Sequence, residues 1–210
     1  MAMTRDVVMR VEKISIVRDG VTVISDFDAQ FVRGTISAII GANGSGKSSL
    51  LGAMSGVLPI SRGVITLNDK NLNDITIVDQ SRVRSVVAQN QRYTLGFSVS
   101  EILSLGSPSM PRDLFEATLE KVGSLDLADR SVLSLSGGER QRISIAHALI
   151  QDRDLILLDE PLSAQDPASA ARLIEIFKEL RQSGKTIIFV AHMQESDLLW
   201  CDQIVKTLAQ

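Results

Sequence analysis

Hydrophobic positions along the chain follow two periods. Val7 to Val17 alternates apolar with polar or charged residues in places, as a half-buried strand does. Asp19-Gly20 is a turn signal, with Val21–Ile24 as the return strand and Phe27–Val32 as a further short one, so the opening predicts a small antiparallel sheet. Thr35–Ile40 reads as a short buried strand, and Leu155–Leu158 and Thr186–Ala191 are apolar runs of the kind buried on both faces. Ser61–Gly63 reads as a turn, Val64–Leu67 as a strand closed by Asn68-Asp69, Val83–Ala88 as a β-branched run ending at Gln89, and Asp202–Leu208 as the last strand. Between these the spacing becomes helical. Ser49–Met54, Ser100–Leu105, Arg112–Val122, Arg140–Ile150 and Ala168–Gln182 fit helices. Leu114, Thr118 and Val122 share one expected face, as do Leu173, Ile176, Phe177 and Leu180. Pro108 and Pro111 mark a loop, and no internal repeat or low-complexity tract occurs.

Strands alternating with helices predict an α/β fold with a mainly parallel, doubly wound core sheet. Ligands of such sheets bind beyond the C-terminal strand ends. Those ends carry Gly41–Ser48 after Ile40, Gln89 after Ala88, Asp159-Glu160 after Leu158 and His192 after Ala191. The chain has 210 residues, 44% of them hydrophobic, which suffices for one sizeable core with a subdomain. A formal net charge of −3 gives a nucleic-acid role no electrostatic support. Cys201 is the only cysteine, which excludes a disulfide framework. No apolar run reaches the roughly 18 residues of a membrane span, and no signal pattern opens the chain. The expectation is a soluble cytoplasmic protein whose membrane spans, where it needs them, come from another chain.

Gly41-Ala42-Asn43-Gly44-Ser45-Gly46-Lys47-Ser48 fits the phosphate-binding loop G-x-x-x-x-G-K-[ST], between a strand and a helix as the motif requires. Its glycines let backbone N–H groups converge, and the helix N-terminus, from Ser48 and Ser49, adds positive potential. Lys47 is expected to reach the β- and γ-phosphates and Ser48 to bind Mg²⁺. Asp159-Glu160 caps an apolar strand; beside a phosphate-binding loop it supplies a metal-organising carboxylate and a water-activating one. Ser136-Gly137-Gly138-Glu139 reads as a capping box and also as a second anion site at a helix start. One such loop and a second phosphate-grade site suggest that two copies face each other.

Leu135–Glu139 followed by Arg140-Gln141-Arg142 resembles the signature motif of ATP-binding cassette (ABC) ATPases. Gly41–Ser48 resembles Walker A, Gln89 the Q-loop glutamine, and Leu155–Glu160 Walker B with the catalytic glutamate. Ser163–Asp166 resembles the D-loop and His192 the switch histidine, all in the family's order over nearly the whole chain. The resemblance implies one P-loop NTPase cassette over residues 1–210: a core lobe of about 1–89 and 150–210 with an N-terminal antiparallel sheet, and an inserted helical subdomain of about 90–149. It implies ATP and Mg²⁺ as cofactors, with Ser48, Gln89 and Asp159 on the metal and Glu160, His192 and Gln89 in catalysis. Two cassettes would close head to tail on two MgATP, each held by Walker A of one chain and Ser136–Glu139 of the other, with Asp166 at the interface. Where the family places an aromatic residue to stack on adenine, this chain has Val17 and Arg18; Arg18 either stacks its guanidinium on the base or is a solvated strand-end arginine. Gln165 and Met193 replace the usual leucine and aspartate, and His147, where arginine is common, reads as a packing or surface residue.

The resemblance further implies a transporter subunit, peripheral on the inner face of the cell membrane. Separate transmembrane permease subunits would be its partners and, through them, an extracytoplasmic substrate-binding protein. Val86–Asn90, Phe97–Gly106 and Ala128–Arg130 are similar to importers of iron chelates, haem and cobalamin. Importers of zinc or manganese, small exporters, and a non-transport cassette acting on a membrane or ribosomal partner stay open. The last expected strand ends near Gln210, so no C-terminal regulatory domain is expected. A permease helix is expected to meet Gln91, Arg92, Tyr93 and Leu95, with Ile102 and Leu103; Tyr93 either anchors that contact or folds back onto the helical subdomain.

Overall fold

The computed structural model describes residues 6–89, 91, 93–105 and 110–208; Arg92 and Pro108 lie outside them. In chain order the elements are β1 (Val7–Arg18), β2 (Val21–Val32), β3 (Ile36–Ile40), α1 (Lys47–Met54), β4 (Arg62–Leu67), β5 (Lys70–Asn71), α2 (Ile77–Val83) and β6 (Arg84–Val87). They continue with α3 (Val99–Ser104), α4 (Arg112–Lys121), α5 (Gly137–Ile150), β7 (Leu155–Asp159), α6 (Pro167–Gln182), β8 (Thr186–Val190) and β9 (Gln203–Lys206).

The core sheet has five strands in the order β6-β7-β8-β3-β9, and every pairing in it is parallel. Its central strands are the continuous apolar runs, and they bury both faces in alternation. Ile156, Leu158, Ile187 and Phe189 pack toward a cluster shared with α4, α5 and α6, while Leu155, Leu157, Ile188 and Val190 pack toward α1 and a second sheet. That second sheet is antiparallel, four-stranded and ordered β2-β1-β4-β5.

Several elements depart from the sequence pattern for identifiable reasons. The two short strands expected after Asp19-Gly20 are one strand, β2. Asp26 takes φ 50 and Lys13 of β1 φ 47, so the chain absorbs the interruption as a bulge instead of ending the strand. Gly63 sits inside β4 rather than in a turn. Val83 belongs to α2, a helix capped by Thr76 that no strong apolar stripe announced. On α4 the buried residues are Thr118 and Leu119, with Val122 following, and Leu114 is exposed. Leu103 is fully buried in the helical cluster, so it cannot line a docking surface; Leu95 is 60% exposed.

Candidate functional site

The strand order sets β6, β7, β8 and β3 side by side, so four consecutive C-terminal ends carry Gln89, Asp159-Glu160, His192 and the glycine-rich loop to one sheet edge. Gly46 caps α1 at φ 83, and a Cβ there would fall 2.6 Å from the Val23 carbonyl oxygen, so β2 enforces glycine at the helix entry. Lys47 runs back across the loop, its Nζ donating to the Gly41 and Ala42 carbonyls, both at 2.9 Å. Burial lowers its pKa, while the charges of Glu160 and Asp159 oppose that drop. A buried cation beside the N-terminus of α1 suits an anion. Ala42, Asn43 and Gly44 form the exposed rim; Ser45 and Ser49 are buried. The Ser45 hydroxyl shares a 2.6 Å hydrogen bond with the Thr207 hydroxyl, which also donates to the Ile40 carbonyl at 3.3 Å. Thr207 thus braces the loop from beyond β9. The register of β9 on β3 puts it there, and pairing of that kind has no local sequence signal.

Ser48 Oγ donates to Asp159 Oδ1 at 3.1 Å, joining the loop to the end of β7. Burial raises the Asp159 pKa and the Glu160 charge adds to the rise, against the Ser48 hydrogen bond and the positive charges of His192 and Lys47. A carboxylate so disfavoured gains from a cation. The two oxygen donors suit Mg²⁺, which takes few protein ligands and shares phosphate and water oxygens. Among the described residues no third His, Cys, Asp or Glu completes a metal cluster.

Glu160 is buried and takes φ 50, a left-handed conformation made tighter by Pro161 after it. Non-glycine residues held there store about 1–3 kcal/mol of strain, which collects at functional sites. Its N–H donates to the Val190 carbonyl at 3.1 Å, and its carboxylate lies in direct contact with His192 Nε2, so the turn bridges the ends of β7 and β8. Gln89 is exposed and, among the described residues, has no hydrogen-bond partner; it lines a cleft of about 640 Å³ with Tyr93, Arg140, Gln141 and Ser163.

The remaining residues lie apart from the loop. Ser136 caps α5, its hydroxyl accepting from the Glu139 N–H at 3.2 Å while Glu139 Oε2 accepts the Ser136 N–H at 2.7 Å. That backbone bond is the main reason the Glu139 pKa is depressed. Ser136 and Gly137 are exposed, so the start of α5 opens outward. No hydrogen bond or ion pair among the described residues ties Ser136–Glu139 to Gly41–Ser49 of the same chain. Asp166 caps α6, accepting from Ala168 and Ser169 N–H, both at 3.0 Å, and from Ser169 Oγ at 2.6 Å; the Ser169 bonds lead in depressing its pKa. Arg18 is exposed at the β1–β2 hairpin, flanked by exposed Val17 and Val21. His147 is half-buried, its Nε2 3.3 Å from the Leu105 carbonyl, a packing role.

Known proteins place this arrangement. The ABC transporter family model matches residues 24–163. The hemin import ATP-binding protein HmuV of Pseudomonas aeruginosa is 32% identical over 94% of this chain and 82% of its own length. The achromobactin transport ATP-binding protein CbrD of Dickeya dadantii is 33% identical over 88% and 72%. Among solved structures, cbiO1 of Clostridium perfringens, part of the ABC transporter complex cbiONQ, superposes with a TM-score of 0.80 at 27% identity over 98% of this chain and 87% of that one. The chain belongs to the ABC transporter family, as one of its ATP-binding, ATP-hydrolysing subunits.

Proposed function

We propose that the chain powers import of haem or an iron chelate, two copies closing head to tail on two MgATP. The observation that carries the dimer is the separation of two anion-binding turns in one chain. Gly41–Ser48 has its cation and its carboxylates beside it; Ser136-Gly137 has an open helix N-terminus facing outward. Each turn supplies what the other lacks. The names of two relatives, one for hemin import and one for achromobactin transport, support the substrate class.

In this reading Lys47 and the loop N–H groups hold the β- and γ-phosphates. The Glu160 carboxylate takes a proton from water as the water oxygen bonds to the γ-phosphorus and the β–γ bridging bond breaks, leaving ADP and phosphate. His192 holds that carboxylate in place. Ser48 and Asp159, with Gln89, would hold Mg²⁺, which when bound would offset charge on the phosphate oxygens. Gln89, between the sheet and the helical segment, would report the γ-phosphate to that segment, and Asp166 would lie at the dimer interface. The division into a core lobe, about 1–89 and 150–210, and a helical subdomain, about 90–149, belongs to the same proposal. No helix among the described residues is long and apolar enough to cross a membrane. Separate permease subunits, an extracytoplasmic binding protein and a place on the inner membrane face complete the reading. Leu95, exposed beside half-buried Tyr93 and Gln91, marks the permease surface.

Light scattering of Glu160→Gln with saturating MgATP is the test. The variant keeps the side-chain shape and removes the base, so a stable dimer is expected. A persistent monomer overturns the shared-site reading.

A further inference from the structure

The loop that follows Glu160 and the first turn of α5 are fastened together within the chain. Gln165 donates from Nε2 to the Gly138 carbonyl at 3.1 Å and accepts from Arg142 Nη1 at 3.3 Å. The two adjacent glycines of that turn differ sharply in their surroundings. A Cβ on Gly138 would fall 2.6 Å from the Ala164 carbonyl oxygen, a backbone atom that cannot swing away, whereas a Cβ on Gly137 meets nothing within 4 Å. Gly137 leaves its space open to the outside; Gly138 yields its space to Ala164 of its own chain. The connection runs on in both directions. Arg142 Nε donates to Ser124 Oγ at 3.0 Å, in the turn after α4. At the other end the loop is tied to Glu160, whose carbonyl accepts from Ser163 N–H at 3.3 Å and Ser163 Oγ at 3.0 Å.

We propose that Gln165 is a positioning residue which, with Gly138, latches the Ser136–Gly138 turn to the loop carrying Glu160. A displacement at Glu160 then passes through Ser163 and Gln165 to the start of α5 in the same chain. This rests on the dimer reading for its consequence: the loop belongs to one nucleotide site and the turn serves the other, so the latch links the two sites. Two directed hydrogen bonds and a close backbone contact fix an orientation, which apolar packing at position 165 would not.

Hydrogen exchange on the full chain without nucleotide tests the latch in the monomer. In Gln165→Leu the amides of Glu139–Arg142 are expected to exchange roughly 2–12-fold faster, the shift that losing a hydrogen bond of ordinary net strength produces. Gly138→Ala should show the same local loosening, and Gly137→Ala should not. Helix propensity alone predicts the opposite sign, since alanine favours a helical turn over glycine at both positions. Melting temperature separates positioning from general damage: in Gln165→Leu it should fall by no more than about 1–6 °C, which the lost bond alone accounts for in a chain of this size. If Gly138→Ala fails to fold, Gln165→Leu still decides. Unchanged exchange in Gln165→Leu, or faster exchange spread over the whole fold, overturns the latch even if the chain never dimerises. In the dimer, the Hill coefficient of ATPase rate against ATP concentration should be lower in Gln165→Leu than in the parent. A parent-like coefficient in a variant that dimerises overturns the link between sites.

Discussion

Asp159 shows how burial sets the charge cost of a single residue of this site. Burial raises its pKa above the ordinary value, with Glu160 adding to the rise, so the fold favours the protonated form. For a raised carboxylate the sign is fixed: its contribution is most favourable below the ordinary carboxylate range and is lost as pH rises through the folded-state value. At neutral pH the ionised group is therefore a net cost, and Asp159→Asn, which can still accept from Ser48, should stabilise the chain. We expect a melting temperature raised by about 2 °C, the shift that roughly half a kcal/mol produces in a chain of this size once the water-exposed part of the group is allowed for. The gain should vanish in acid while ATPase activity is lost at all pH values. A variant no more stable than the parent at pH 7 would mean the Ser48 bond already offsets the burial. At the hairpin, Arg18 lies between exposed Val17 and Val21 with no aromatic ring. Stacking a base on an aromatic ring is worth about 1–3 kcal/mol, so without it ATP and GTP should bind with affinities within about tenfold of each other. A hundredfold ATP preference in competition binding would mean that another residue holds adenine. The places of the loop and of Asp159-Glu160 at strand ends, and the capping box, were legible in the sequence because each is set within a few positions of the chain. Thr207 was not, because its contact with Ser45 spans most of the sequence.

At the scale of elements, burial on two faces was the most legible property. The central strands β3, β7 and β8 show continuous runs because helices cover one side and a second sheet the other. α2 was illegible because its buried residue is Gln80, bonded to the Leu72 and Ile75 carbonyls, while Ile77 and Val78 face solvent. The spacing gives α3 but not the neighbour that covers Leu103, which is buried rather than on the docking surface. That placement changes what a mutation should do. Leu103→Ala should destabilise by about 2–4 kcal/mol through the cavity it leaves, lowering the melting temperature by roughly 5–12 °C. Leu95→Glu should leave the melt unchanged, preserve ATPase activity in the isolated chain and abolish capture of the permease. Loss of ATPase in Leu95→Glu, or normal permease capture, would remove this face from the docking surface.

At the scale of the whole molecule, head-to-tail closure makes a prediction that a site built within one chain does not share. In the proposed two-fold dimer each contact is repeated, so every nucleotide would meet the loop of one chain and the Ser136 turn of the other. Lys47→Ala removes the cation from its own chain's loop, and Ser136→Arg crowds the phosphate position presented to the partner. Each variant alone therefore spoils both sites of its dimer. When they are mixed, both defects fall on one site of the mixed pair. The other site receives an intact loop from the Ser136→Arg chain and an intact turn from the Lys47→Ala chain. Random pairing makes half the dimers mixed, each with one sound site, so the mixture should recover up to about a quarter of parental ATPase activity, the full quarter if the sites turn over independently and less to the extent that they are coupled. The recovery should grow with protein concentration, as a dimerising species must. If each chain carried its own complete site, no mixing ratio would restore turnover, and the two variants would stay as inactive together as apart.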